Sequence, residues 1–132
     1  MREIKFRAWN EVEEKIYNWY EFLNTNMKNT FITPESTAMI LMQYTGLKDK
    51  NGTEIYEGDI VKIHAHSYDY GFSKNRIGQI KFLDGSFGFY KQLSEKEYLF
   101  NELSTEYGYG ELDYYEVIGN IYKNPELLED KE

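Results

Sequence analysis

The sequence predicts a mainly β protein: an SH3-like barrel with an added N-terminal hairpin and one or two short helices. Apolar and polar residues alternate in several short segments, which is the pattern of half-buried strands. Turn signals such as Asn51-Gly52 and Asp84-Gly85 separate those segments. The 132 residues include 13 Tyr, 8 Phe and 2 Trp but only 2 Pro and no Cys. Such a composition indicates an ordered globular domain and excludes a disulfide framework.

The first predicted element is an N-terminal hairpin. In residues 2–9, Ile4, Phe6 and Ala8 fall on one face and charged residues on the other, which predicts a half-buried strand. Residues 15–23 are rich in aromatics and predict the partner strand.

Trp9 and Trp19 lie on either side of the loop in this hairpin. We expect them to pack in the core or across the strands, because aromatic pairs stabilise sheets. A binding platform is the alternative interpretation.

Residues 24–37 are rich in Asn, Thr and Ser and predict a connection. The apolar run 38–45 predicts a strand buried on both faces, and periodicity alone leaves a helix open. The next turn is predicted as a three-residue loop with a bulge at Gly52. That register places Lys48 opposite Glu54, whereas a two-residue loop would set two like charges against each other.

A strand is predicted over 60–66, followed by a polar and aromatic loop over 67–76. Residues 78–83 and 86–90 then flank Asp84-Gly85, the strongest short-range hairpin signal. The residues predicted to hold turns are Gly52, Gly58, Asp59, Gly85 and Gly119.

Three elements are predicted in the last third. Ser94 and Glu97 form a capping-box pattern, which predicts a short helix over about 95–104. A closing strand is predicted over 112–122. Asn124-Pro125 then predicts one short helical turn, with proline at the first helical position.

Three blocks resemble the YopX-like family of small phage and prophage proteins: MREIKFRAW, YTGLKDKNGTEIYEGDIV and VIGNIYKNPELL. They keep their order from one end of the chain to the other. The resemblance implies an all-β fold with an SH3-like barrel and additional strands, in the cytoplasm of a bacterial host. It implies no catalytic residue. We expect one domain over 1–132, with N-terminal strands in 1–45, the barrel in 46–122, and a turn and acidic tail in 123–132.

The formal net charge of -8 is unevenly distributed. Residues 1–91 carry 12 basic and 12 acidic side chains, whereas 92–132 carry 3 basic and 11 acidic. We interpret the acidic third as a solvated face, and a docking surface for a basic partner is the alternative. The acidity excludes a broadly basic nucleic-acid binder. No apolar run reaches the length of a membrane span, so we expect no membrane partner.

His64 and His66 are the weak metal candidates, since both point to the same side of a predicted strand. Zinc requires at least a third ligand, for which Asp59 and Asp69 are the nearby residues. We therefore predict no metal and no cofactor. The sequence holds no nucleophile elbow, phosphate loop or dinucleotide fingerprint, so it predicts no enzyme.

The candidate binding residues are aromatic side chains and one basic neighbour. The candidates are Trp9, Trp19, Tyr68, Tyr70, Phe72 and Arg76. The leading hypothesis is a non-catalytic interaction module acting on a protein partner or on a second copy of itself. Binding of single-stranded nucleic acid by the 72–91 region is the alternative. Its residues would be Lys74, Arg76, Lys81 and Lys91 with Phe72, Phe82, Phe87, Phe89 and Tyr90.

Overall fold

The computed structural model describes residues 3–33, 37–64, 76–93, 97–102 and 115–129; the side chains of 76, 91–93 and 97–102 lie outside that description. The chain divides into two compact units, residues 1–46 and 47–132. The strands are β1 Phe6–Asn10, β2 Lys15–Tyr17, β3 Met39–Lys48, β4 Glu54–Tyr56, β5 Asp59–Ile63, β6 Arg76–Leu83, β7 Ser86–Leu93, β8 Glu97–Glu102 and β9 Tyr115–Asn120. The helices are α1 Trp19–Leu23, α2 Met27–Ile32 and a 3-10 helix Pro125–Leu128.

The strands form two antiparallel sheets. One has the order β2-β1-β3-β4 and the other the order β8-β7-β6-β5-β9. One of the two sheets is a half-barrel, so the mainly β class is confirmed, together with the N-terminal hairpin of β1 and β2. No helix in the described ranges is long and apolar enough to span a bilayer.

Each unit has its own core. In the first unit, Ala8, Phe22 and Met39 are buried. Partly buried aromatic and aliphatic residues pack around them: Phe6, Tyr17, Trp19, Met27 and Leu41. In the second unit, the core comprises Ile55, Val61, Ile63, Ile80, Phe87, Phe89 and Tyr115. Ile55 lies on β4, and the alternation predicted for 60–66, 78–83 and 86–90 places the core residues of those three segments on one face of the five-stranded sheet.

The loop between β3 and β4 confirms the predicted three-residue turn. The Asp49 N–H donates to the Thr53 carbonyl at 2.8 Å, and the Gly52 N–H donates to the Asp49 carbonyl at 3.0 Å. Gly52 has φ +81°, the left-handed conformation that the predicted bulge requires. The Asp49 carboxylate is buried and accepts from the N–H groups of Asn51, at 2.8 Å, and Thr53, at 2.9 Å.

The Asp49 carboxylate also ties this turn to the strand β9. Its second oxygen accepts the Val117 N–H at 2.8 Å, and the Lys50 N–H donates to the Tyr115 carbonyl at 3.0 Å. One buried side chain therefore satisfies three backbone donors, two in the turn and one in a strand 68 residues further along. We call these contacts the Asp49 junction.

The other predicted turns are present as well. Asp59 is buried and accepts the Tyr56 N–H at 2.7 Å, and Gly58 has φ +87°. Gly85 has φ +83° in the two-residue turn between β6 and β7, where Leu83 pairs with Ser86. Gly58 also makes two long-range backbone hydrogen bonds: its N–H donates to the Ile80 carbonyl at 2.8 Å, and its carbonyl accepts the Ile121 N–H at 2.9 Å.

Gly119 is required by a close approach. A Cβ atom at this position would lie 2.5 Å from Asn124 Oδ1, and that oxygen accepts the Asn120 N–H at 3.2 Å. Asn120 Oδ1 in turn accepts from the N–H groups of Tyr122 and Lys123. Gly119-Asn120 and Asn124-Pro125 thus belong to one hydrogen-bonded connection from β9 to the predicted short C-terminal helix.

Two predicted elements are wrong. Residues 15–23 are not one strand, because β2 ends at Tyr17 and α1 begins at Trp19. The helix predicted over 95–104 is a strand over its described part, since β8 spans Glu97–Glu102 and pairs with β7 along its length. Pairing with β7 overrides the local capping signal in this segment, whose aromatic residues also favour strands. The connection predicted over 24–37 contains the helix α2.

Candidate interaction surface

The two short helices of the first unit begin at Asn caps. Asn18 Oδ1 accepts the Glu21 N–H at 2.9 Å, and Glu21 Oε1 accepts the Asn18 N–H at 3.1 Å, which is a complete capping box. At α2 the Asn26 side chain accepts the Asn29 N–H at 3.3 Å. The Asn18 and Glu21 pattern is a sequence signal for α1 that strand periodicity alone does not reveal.

Residues three apart on α1 divide it into two faces. Trp19 and Phe22 point inward, with their ring centroids 6.3 Å apart, and Phe22 is fully buried. Tyr20 and Leu23 point outward and are 77% and 43% exposed. The inward face packs against β1, where the Phe6 ring lies 6.3 Å from Trp19.

The helix α2 divides in the same way. Thr30 is buried, and its hydroxyl donates to Thr37 Oγ1 at 3.2 Å. Phe31 contacts the ring of Phe6 edge-on at 5.3 Å but remains 47% exposed. Ile32 is 66% exposed.

Four large apolar side chains are therefore exposed on these helices, Tyr20, Leu23, Phe31 and Ile32, which we call the helical surface. Residues 19–32 carry only two charged side chains, Glu21 and Lys28. Lys15 Nζ lies 3.8 Å from the Glu21 carboxylate. The helical surface is thus apolar and nearly neutral, which is the character of the central part of protein interfaces.

The two tryptophans have structural roles. Trp9 is only 9% exposed and belongs to the buried residues of the first unit. Trp19 is partly buried in the ring cluster with Phe6 and Phe22. These positions agree with the predicted core role. Of the other predicted binding residues, Tyr68, Tyr70 and Phe72 lie outside the described residues, as does the side chain of Arg76.

The β6–β7 hairpin holds the described part of the predicted nucleic-acid region. Phe87 and Phe89 are buried in the core, whereas Phe82 is 43% exposed and its ring lies 4.8 Å from Phe87. Lys81 Nζ lies 5.6 Å from the centroid of the Tyr90 ring, within the range of a cation–π contact. Burial, with a smaller contribution from Asp84, raises the pKa of the Tyr90 hydroxyl. Lys74 and the Lys91 side chain lie outside the described residues.

His64, one of the two metal candidates, is engaged with a carboxylate. His64 Nε2 donates to Glu116 Oε1 at 2.8 Å between the ends of β5 and β9. This hydrogen bond lowers the pKa of Glu116; burial opposes the shift, and Lys50, His64 and Lys62 add attraction. Within the described residues, no three His, Cys, Asp or Glu side chains are grouped as metal ligands. His66 and Asp69 lie outside the described residues, and Asp59 is occupied in its turn.

A family model of the YopX protein matches residues 5–129. The chain belongs to the YopX family. Among solved structures, protein EF1440 from Enterococcus faecalis is 30% identical, with a TM-score of 0.61 over 98% of this chain and all of that one. The yopX protein from Bacillus subtilis is 25% identical, with a TM-score of 0.56 over the full length of both chains. No curated protein matches. The resemblance of the three sequence blocks is therefore confirmed.

Proposed function

We propose that this YopX-family protein is a non-catalytic protein-interaction module of a phage or prophage, acting in the cytoplasm of a bacterial host. The helical surface is the observation that carries the proposal. Its four exposed apolar side chains lie on two consecutive helices, whereas singly scattered apolar residues are ordinary on protein surfaces. Aromatic and aliphatic side chains of this kind bind partner proteins by removing apolar area from water.

The test compares substitutions of exposed apolar side chains at two places in the first unit. Tyr20→Ser with Ile32→Ser removes most of the helical surface without altering the inward residues Trp19 and Phe22. Val12→Ser is the matched control, because Val12 is 82% exposed but lies in the β1–β2 turn. All three proteins should have the same circular dichroism spectrum.

Light scattering over a concentration and salt series detects self-association, and affinity capture from phage-infected host cells detects a protein partner. The wild type and the Val12→Ser variant should associate, and the double variant should lose that association. Contacts through the helical surface should persist as salt rises, whereas a partner held by the acidic third should be released. A monomeric wild type that retains no partner would contradict the proposal.

Single-stranded nucleic acid is the second candidate ligand, and the β6–β7 hairpin favours it. Phe82 is an exposed ring beside Phe87, and Lys81 lies over Tyr90; rings with adjacent cations bind unpaired bases by stacking. A gel shift at low salt should show binding that Phe82→Ser weakens and Tyr20→Ser leaves unchanged. Absence of any shift with single-stranded DNA and RNA rules this candidate out.

A further inference from the structure

The turn between β3 and β4 holds the only Asn-Gly pair in the sequence. In such a pair the backbone nitrogen of Gly52 is able to attack the side-chain amide carbon of Asn51. The new carbon–nitrogen bond closes a cyclic imide, and the amide nitrogen leaves as ammonia with the proton that Gly52 gives up. Water then opens the imide and yields either aspartate or isoaspartate. Glycine permits this reaction because it has no side chain to hinder ring closure.

Access to solvent is not the limiting factor at this turn. Asn51 and Gly52 are both exposed, and a Cβ atom at Gly52 would have no neighbour within 4 Å. The restraint comes from hydrogen bonds. The Gly52 N–H donates to the Asp49 carbonyl at 3.0 Å, and the Asn51 N–H donates to Asp49 Oδ1 at 2.8 Å. The attacking nitrogen must release its proton and turn toward the side chain, so the first of these bonds has to break.

We propose that Asn51 is a deamidation site whose reactivity is controlled by the Asp49 junction. The junction joins the turn to β9 through the Val117 N–H and the Tyr115 carbonyl. Any event that moves β9 away removes the Val117 hydrogen bond to the second oxygen of Asp49 and loosens the turn that restrains Gly52. The chemistry at Asn51 thus reports opening of a contact between segments far apart in the sequence. This inference is independent of the proposed interaction function.

The loss of ammonia makes the change irreversible, and the isoaspartate product alters the backbone of the turn. It routes the main chain through the former side chain of Asn51 and so adds one atom to a loop of three residues. The positive φ of Gly52 closes a loop of fixed length. A longer loop cannot keep both the Asp49–Thr53 and the Gly52–Asp49 hydrogen bonds. Ordinary aspartate at this position leaves the backbone unchanged.

Peptide mapping by mass spectrometry measures the rate at neutral pH, in buffer and in urea above the unfolding midpoint. Since one ordinary hydrogen bond shifts an equilibrium by about tenfold, the folded chain should deamidate at Asn51 at least about tenfold more slowly than the unfolded chain. Asn24 and Asn29, which precede Thr, are internal controls and should stay intact in both conditions. Equal rates at Asn51 with and without urea would overturn the proposal.

Two further measurements separate the junction from general unfolding. Asp49→Asn weakens the junction, and below its own unfolding midpoint it should deamidate at Asn51 several-fold faster than the wild type; an unchanged rate contradicts the role of the junction. If this variant does not fold, the melting temperature of the deamidated wild-type protein tests the proposal instead. Purified isoaspartyl protein should melt below the Asn51→Asp variant, and equal melting temperatures would show that loop length is not the cause.

Discussion

The two units of the chain differ in how they treat their large apolar side chains. Of the eight that are exposed in the described residues, six belong to residues 1–46 and only Phe82 and Leu83 to residues 47–132. The six are Ile4, Val12, Tyr20, Leu23, Phe31 and Ile32. The sheet of the second unit covers one face of its strands with its own core side chains, whereas helices of five and six residues bury only one side. Among the described residues, the first unit therefore has the larger share of apolar surface left for a partner.

The units also differ in the reach of their turn residues. In the first unit the buried Asn10 side chain accepts from the N–H groups of Val12 and Glu13, at 2.9 and 2.8 Å, and so caps its own turn; its longer-range bond, from Nδ2 to Met39 Sδ at 3.8 Å, is a weak one. In the second unit Asp49 caps its turn and also binds Val117. Loss of a local cap should weaken one hairpin, whereas loss of Asp49 should weaken the attachment of a whole strand.

The largest expected effect tests the difference between the two cores. Phe89→Ala should destabilise the second unit by about 3–5 kcal/mol, because the ring is fully buried. Phe22→Ala should destabilise the first unit by an amount at the lower end of that range, because the neighbouring Phe31 ring is half exposed and is able to move into the cavity. In urea unfolding, tryptophan fluorescence follows the first unit, which holds both tryptophans, and circular dichroism follows the strands. A larger loss for Phe22→Ala would contradict the comparison.

The second prediction compares the two buried turn residues. Asp49→Ala should lower the free energy of unfolding by about 2–4 kcal/mol, because three backbone N–H groups lose the buried carboxylate that accepts their hydrogen bonds. Asn10→Ala should cost about 1–2 kcal/mol, as the loss of a local cap does. Hydrogen exchange provides the sharper measurement: Asp49→Ala should expose the Val117 amide, and Asn10→Ala should leave it protected. Equal protection of Val117 in both variants would show that Asp49 does not hold β9.

The turns of the second unit could be predicted from the sequence because their causes are local. Asp49 and Gly52 are chemically suited to a three-residue loop, and Asp84-Gly85 is suited to a two-residue one, so both registers follow from turn chemistry. The strand at 97–102 could not be predicted in this way, because its conformation depends on pairing with β7. Local capping residues point to a helix there, and a neighbouring strand overrides them.

The sequence pattern does not predict the helices of the first unit, for a different reason. The Asn18 and Glu21 pattern is local and was available, but the aromatic residues that follow also suit a strand. Likewise, the sequence placed Asp49 in its turn and did not reveal its bond to Val117, which lies 68 residues away. Contacts of that kind depend on how the strands are arranged in the sheet, so the spacing of residues along the sequence does not reveal them. For the same reason, spacing groups His64 with nearby His66, whereas its partner in the structure is the distant Glu116.

A smaller effect on stability is expected at the non-glycine residues with positive φ in the β1–β2 and β6–β7 turns. Glu14, at φ +56° in the first unit, should gain about 0.5–1 kcal/mol of stability when replaced by glycine, because a side chain is strained in this region. Asp84 has φ +52°, and Asp84→Asn should add a few tenths of a kcal/mol, since Asn tolerates that region better. Thermal unfolding measures both. Glu11→Gly is the control and should destabilise; stabilisation by that change would show that φ is not the cause.

The smallest expected effect concerns the pH dependence of the second unit. The His64 hydrogen bond lowers the folded-state pKa of Glu116, with further attraction from Lys50 and Lys62 and opposition from burial. A carboxylate with a lowered pKa stabilises the fold above its unfolded value, which is ordinarily 4.5. That contribution disappears as the pH falls through the lower folded-state pKa. The melting temperature of the wild type should therefore exceed that of Glu116→Gln near neutral pH, and the gap should close in acid.

The His64→Gln variant separates this pair from the general acid response of the chain. It removes the main cause of the lowered pKa of Glu116 while keeping both neighbouring lysines. Near neutral pH, the difference in melting temperature between His64→Gln and the double variant with Glu116→Gln should therefore be smaller than the difference between the wild type and Glu116→Gln. The first unit contains neither residue of the pair, so its tryptophan fluorescence should give the same acid transition in all four proteins. A gap between wild type and Glu116→Gln that stays constant with pH would show that the His64–Glu116 contact contributes nothing to the acid response of the second unit.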